Sequence, residues 1–488
     1  MGQDLDIQNI KKGPLLFIMI LGAFIAILNQ TIMSVAIPKL IINFNIATTT
    51  AQWLTTGYML VNGVFIPLTA YLMQRFTTRE LFLTAMITFL IGSIVSGAAP
   101  GFEVLLVGRL IQAAGAGIIM PLLMNVVLAI FPVEKRGGAM GLIGVAIILA
   151  PAIGPAYAGY MLVHFVWRSL FYGIIPFAVL VIILAFFYLR NVGERAYPKL
   201  DIKGMILSTI GFGSLLYGFS RAGAIGWIST EVILTLAIGV ISLILFSISQ
   251  LKNDNPLLEL RTFKYNMFTL TTLINVVVTV VMYADMMLLP IYLQSMRQYS
   301  ALDAGMLMLP GALLMGLMMP ISGRLFDRFG AKWLSIIGIS ITIVTTFGFT
   351  SLTDSTSYNY LLLLSTGRRV GMALFLMPIT TAGLNQLPSN LHAHGTAISN
   401  TVKQVSGAIG TALLVTILTK QAQLHAVKFS AEGLIGNQDQ LRLKASIAGM
   451  NDAYCVVNIF GLIGLIMSFF IKKLNRVMFF NKFSKDTS

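Results

Sequence analysis

Residues 108–132 read GRLIQAAGAGIIMPLLMNVVLAIFP, and residues 367–388 read GRRVGMALFLMPITTAGLNQLP. Each run opens on Gly-Arg (Gly108-Arg109, Gly367-Arg368), carries Met-Pro at its middle (Met120-Pro121, Met377-Pro378) and leaves on a proline (Pro132, Pro388). Each is apolar over about the 20 residues a helix needs to cross a bilayer. The same marks in the same order, so far apart in one chain, indicate a duplicated membrane unit.

Working outward from these runs, apolar stretches fall at about 15–37, 53–73, 81–99, 104–130, 138–163 and 169–189. Two follow at about 204–220 and 230–251, and a last group at about 267–293, 303–323, 333–351, 358–383, 397–419 and 453–471. The fourteen spans group as six, two and six, with the repeated runs as the fourth span of each six. This predicts an all-α integral membrane protein. A six-helix bundle occupies 1–190, two linker helices occupy 191–265, and a second six-helix bundle occupies 266–488. A long outer loop at 420–451 contains SAEGLIGNQDQLRLK, read as a short amphipathic helix. Duplicated six-helix halves around a shared site are a transporter architecture.

Composition agrees. A 488-residue chain that is 57% hydrophobic and 10% charged, with a mean hydropathy of +0.85, cannot enclose its apolar surface in a soluble core. The 33 Lys and Arg against 18 Asp and Glu, a net +15, would suggest nucleic acid in a soluble protein. Here they follow the enrichment of cytoplasmic loops in Lys and Arg. Twenty-one, among them Arg195, Lys473, Arg476, Lys482 and Lys485, fall on the side of the N-terminus, against eight on the other. Both termini are therefore expected in the cytoplasm. Lys11 and Lys12 precede an apolar run too long for a signal peptide, which reads as an uncleaved first span.

The single Cys455 excludes a disulfide framework and a cysteine metal site. His164, His392, His394 and His425 are all expected in loops, and the His392/His394 pair lacks further ligands for a metal. No GxxxxGK loop is present to hold a nucleotide. Neither an enzyme nor a cofactor is expected.

Five stretches carry a family resemblance: LNQTIMSVAIP (28–38), AYLMQRFTTRELF (70–82), LLVGRLIQAAGAG (105–117), LAPAIGPAYAG (149–159) and GRLFDRFGAKWL (323–334). In order and place, over nearly the whole chain, they resemble the motifs of the major facilitator superfamily. Within it they resemble the fourteen-span drug:proton antiporters of the EmrB, QacA and lincomycin-resistance type. The resemblance implies two bundles rocking around a midplane site, with outward transport driven by the proton gradient. The fifth-span motif goes with export in that family.

That motif has its own physical reading. Pro disrupts an ordinary helix by about 3 kcal/mol, yet residues 149–162 hold two prolines and two glycines. Pro151, Pro155 and Gly159 are four apart on one face, with Ala150, Gly154 and Ala158 beside them and Gly144 two turns earlier. This makes a small-residue surface for close helix packing. In the loop motif Gly323 permits close approach, Asp327 can accept hydrogen bonds at a helix N-terminus, and Arg328, Gly330 and Lys332 complete the loop. In the first half Gln74 replaces the motif's acid, so a latch there would use a neutral hydrogen bond.

Four cations, Arg109, Arg368, Arg369 and Lys403, fall inside spans, where each costs about 2.5–3.5 kcal/mol unless it faces protein. Lys403 is close enough to the cytoplasmic side to snorkel. Asp285 is the acid well inside a span and the candidate proton carrier, with Arg109 as a coupling or structural partner. Asn29 stands where many family members carry an acid, and an amide cannot titrate. Asn29, Gln30, Gln112, Arg368 and Asn400 are candidate polar groups of a cavity. One acid against four bases favours neutral, zwitterionic or anionic amphiphiles over dications.

The expectation is a monomeric, proton-coupled multidrug exporter of the bacterial cytoplasmic membrane. Its alternative is an exporter or permease for an endogenous metabolite, lipid or fatty acid. A sensor or scaffold would be expected to carry a soluble domain, and the largest predicted loop is about thirty residues.

Overall fold

The structure, a computed structural model, describes residues 11–192, 198–431 and 438–472. Arg195, Lys473, Arg476, Lys482 and Lys485 lie outside the described residues, as does the stretch 432–437. Fourteen helices among the described residues are long and apolar enough to cross a membrane.

The first six are α1 (Lys12–Phe44), α2 (Trp53–Arg75), α3 (Thr78–Gly97), α4 (Phe102–Ile130), α5 (Arg136–His164) and α6 (Ile175–Tyr188). A helical turn at Ser169–Tyr172 begins the sixth span. Then come α7 (Ile202–Ile225) and α8 (Thr230–Lys252). The last six are α9 (Asn266–Ile291), α10 (Ala301–Phe329), α11 (Ala331–Gly348), α12 (Tyr358–Leu384), α13 (His392–Ala431) and α14 (Gln438–Ser468). Alternate ends gather Lys12, Arg75, Arg136 and Arg328 on one side, called here the basic end.

The repeat is visible in the packing. In the first half Gly92, Gly108 and Gly115 bring α3 against α4, and a Cβ at Gly108 would lie 2.4 Å from Ser96 Oγ. In the second half α11 meets α12 the same way, with a Cβ at Gly371 only 2.6 Å from Thr342 Oγ1. Without a hydrophobic drive between helices in lipid, such close backbone contact is what holds them.

The linker helices are not a detached pair. On α7, Ser220 bonds Thr56 of α2 at 3.3 Å, Leu216 fills the space over Gly63, and Trp227, in the turn that follows, donates to Thr416 of α13 at 2.6 Å. Thus α7 covers the seam of α2 and α13, and α8 packs outside it.

Three expectations are corrected. The segment 420–451 is mostly helix: α13 continues to Ala431 and α14 starts at Gln438. At 40 residues α13 is about 60 Å long, twice a bilayer core of about 30 Å. Residues 420–431, KQAQLHAVKFSA, hold no proline or glycine to stop it. The histidines are not in loops. His164 ends α5, His425 lies inside α13 and pairs with Asp452 at 2.8 Å, and His392 and His394 are buried in the first turn of α13. Lys403 does not snorkel: its Nζ turns inward and donates to Thr380 Oγ1 at 2.8 Å.

Candidate functional site

Two buried polar clusters occupy the halves, one in each. In the second, Asp285 on α9 meets the consecutive arginines of α12. Arg369 Nε lies 3.0 Å from Asp285 Oδ2, and its Nη1 donates to the Met308 carbonyl on α10. Consecutive helical residues point about 100° apart, so Arg368 leaves on another side. Its Nη2 donates to Val281 O at 3.0 Å, its Nη1 is 3.9 Å from Asp285 Oδ1, and its guanidinium lies over the Tyr454 ring at 5.7 Å. Gly311 makes room for the Arg369 stem, since a Cβ there would be 3.0 Å from Arg369 Cδ.

Asp285 is 3% exposed, Arg368 0% and Arg369 7%, so two cations and one anion share a site closed to solvent. Protonating Asp285 would remove the carboxylate that Arg369 pairs with. The Asp285–Arg369 pair joins α9 to α12. Arg369 is one of the four intramembrane cations of the sequence, but its pairing with Asp285 is not among the expectations, although a signal for it exists. A guanidinium in a span needs a partner, and Asp285 is the acid well inside the spans of that half.

The first-half cluster holds no carboxylate among the described residues. Arg109 Nη1 donates to Asn29 Oδ1, and to Gln112 Oε1 at 2.9 Å. Its guanidinium lies 4.2 Å from the Tyr58 ring centre, and Gln112 passes the chain on to Ser93 Oγ at 2.7 Å. Arg109, Gln112 and Asn29 are at most 2% exposed, and these polar atoms are turned to neighbours within one half. Arg368 is enclosed in the same way. Arg109 and Arg368, at 0% exposure, line no open cavity, so neither contributes to the bias toward anionic or zwitterionic substrates expected from the charge count. Gln30 is half-buried on α1. Asn400 reaches across the seam to Met124 Sδ at 3.3 Å.

The halves are joined at the basic end. Asp327, at the end of α10, accepts from Gly137 N at 2.7 Å and Gly138 N at 2.8 Å, in the first turn of α5. Gly323 allows this approach, because a Cβ there would lie 2.1 Å from Gly137 O. Gly330, at φ 82°, makes the turn into α11 that a side chain would strain. Arg328 is exposed and lies over its neighbour Phe329. Arg136 ties Leu128 O and Phe131 O of the first half to Asn385 Oδ1 of the second at 3.0 Å. Gln74 in turn meets His394 at 2.6 Å, a side-chain contact between the two halves. His394 Nδ1 also accepts from Glu259 N at 3.2 Å.

The small-residue stripe of α5 divides between partners. Gly141 and Gly144 abut Met319 on α10, and Leu149 touches Gly316. Beyond them Gly154 faces α1, where a Cβ would fall 2.2 Å from Thr31 Oγ1, and Ala150 and Ala158 are fully buried. Pro151 is half-buried, Pro155 is exposed, and a Cβ at Gly159 would meet nothing within 4 Å. The packing face is thus the Ala150, Gly154, Ala158 line rather than the one through Pro151, Pro155 and Gly159.

Comparison with known proteins places this geometry. The profile of the Major Facilitator Superfamily matches residues 19–411. The chain is 41% identical to the lincomycin resistance protein LmrB of Bacillus subtilis, over 96% of this chain and 97% of that one. It is 28% identical to the probable multidrug resistance protein EmrY of Escherichia coli, over 84% and 81%. Among solved structures the human organic anion transporter MFSD10 superposes with a TM-score of 0.66, covering 93% of this chain and 99% of that one at 14% identity. With fourteen spanning helices, a duplicated half and these relatives, the chain belongs to the major facilitator superfamily.

Proposed function

We propose that the protein is a multidrug efflux transporter that carries amphipathic antibiotics out of the bacterial cell in exchange for protons. Residues 1–190 and 266–488 act as rocking halves, and both termini are cytoplasmic. Relatives named for lincomycin and multidrug resistance support the substrate class. The observation that carries proton coupling is the enclosed Asp285–Arg369–Arg368 cluster, where an acid joins two helices of the second half.

In the arrangement seen here the basic end is shut by Asp327, Arg136 and Gln74. Opening that end requires α5 and α10 to part. In this reading Asp285 takes up its proton as Arg369 shifts away and returns it when the pair re-forms, so the pair is the coupling element. Asn29 is an amide, so the Arg109 cluster, whose side-chain acceptors are the amide oxygens of Asn29 and Gln112, serves in this reading as a brace of the first half. Gln30 and Asn400 remain the candidates for polar contact with substrate.

The test is lincomycin transport by everted membrane vesicles. Uptake that collapses when a protonophore dissipates the pH gradient supports the reading. Unchanged sensitivity of a pump-deficient host to a panel of antibiotics points instead to an endogenous metabolite, lipid or fatty acid as cargo.

A further inference from the structure

A cavity of about 260 Å³ opens at the basic end where α1, α5 and α10 meet. Its walls combine two kinds of side chain. Leu16, Leu142 and Pro320 make an apolar floor, and Lys135 and Arg324 stand at the rim. Lys135 belongs to the first half and Arg324 to the second. Both are exposed, and among the described residues neither side chain forms a hydrogen bond or ion pair, the bond of Lys135 to Pro132 O being through its backbone N–H. Phe131, a third wall, carries the Lys12 ammonium 5.6 Å from its ring centre. The acid in the lining, Asp327, already has one oxygen engaged by each of two backbone N–H groups. Glu134, beside Lys135, is exposed.

The depth fits a headgroup. Lys135 precedes the first residue of α5, Lys12 begins α1, and Arg324 is five residues from the end of α10. Leu142, 43% exposed, lies further along α5, away from that end, where acyl chains would lie. Basic pockets between helices at the cytoplasmic side suit anionic lipid headgroups.

We propose that this cavity binds an anionic phospholipid. Its phosphate is held between Lys135 and Arg324, and an acyl chain lies along Leu142 and Pro320. Because the two cations come from different halves, the lipid bridges the same seam that Asp327 closes. A ligand favours the state to which it binds better, so the lipid holds the basic end shut.

The experiment uses the full chain, purified and exchanged into nanodiscs or detergent with defined lipid. Native mass spectrometry then counts retained phosphatidylglycerol and phosphatidylcholine, for the parent, Lys135→Ala/Arg324→Ala, and Arg190→Ala/Lys252→Ala as a charge-matched control. Thermal unfolding against added phosphatidylglycerol is the second readout. The expected result is at least fivefold lower phosphatidylglycerol retention, and loss of the stabilisation, in the first variant alone. Three results overturn the proposal. One is equal loss in the control, which indicates unspecific charge. The second is equal retention of phosphatidylcholine. The third is displacement of the lipid by millimolar inorganic phosphate, which indicates a free-anion site.

Discussion

Arg369 Nε donates to Asp285 Oδ2 across 3.0 Å, joining α12 to α9 where both side chains are buried. Removing one member of an isolated buried ion pair costs about 3–5 kcal/mol, and here Arg368, 3.9 Å from Asp285, retains part of the compensation. Arg369→Leu should therefore unfold at markedly lower temperature than the parent. The double variant Asp285→Asn/Arg369→Leu should lose less than the two single losses added together. Differential scanning fluorimetry in detergent reads both, and strict additivity would show that the pair is not energetically coupled.

The Arg109 cluster makes a different prediction. Asn29→Ala removes an acceptor from a fully buried guanidinium, costing about 1–3 kcal/mol, and should lower thermal stability. Asn29→Asp supplies a carboxylate at the same place and should be at least as stable as the parent. Thermal unfolding of the two variants distinguishes them, and equal destabilisation by both would mean that Asn29 is held for its size rather than its acceptor.

Steric reach separates two glycines of one helix. Gly154→Leu must displace Thr31, whose Oγ1 is 2.2 Å from the Cβ position, and should fold poorly or lose transport. Gly159→Ala, with open space around it, should be tolerated. Membrane yield and vesicle transport for the pair are the readout, and similar behaviour would remove the packing argument for α5.

Asp327→Ala deletes both hydrogen bonds to the first turn of α5 and should loosen the basic end. A cysteine introduced at Gly138 should then label faster with a membrane-impermeant maleimide in everted vesicles than it does beside Asp327. An unchanged labelling rate would show that Gly323, rather than the carboxylate, closes that seam.

Much of the architecture was legible because the spans declare themselves by length and the repeat by its Gly-Arg and Met-Pro marks. Motif spacing also pointed to Gly323, Asp327 and Gly154, which need only backbone proximity to matter. What stayed hidden depended on partners from distant sequence. Arg369 is understood only when α9 and α12 are side by side. Lys403 turns inward because Thr380, itself 3.3 Å from Asn275, offers an acceptor that snorkelling does not need. Periodicity grouped Gly159 with Pro155, but which edge of that face meets α1 is set by the tilt between helices. The helical ends of 420–451 are not legible in the sequence because polarity marks the membrane boundary, not the end of a helix.

The most direct measurement is proton release by the purified protein in weakly buffered detergent on addition of lincomycin, for the parent and Asp285→Asn. The parent should acidify the medium as substrate binds, and Asp285→Asn, assayed at a temperature below its own unfolding transition and lacking the cluster's carboxyl group, should release no protons. Release from Asp285→Asn at the parent's rate and extent would contradict Asp285 as the proton carrier.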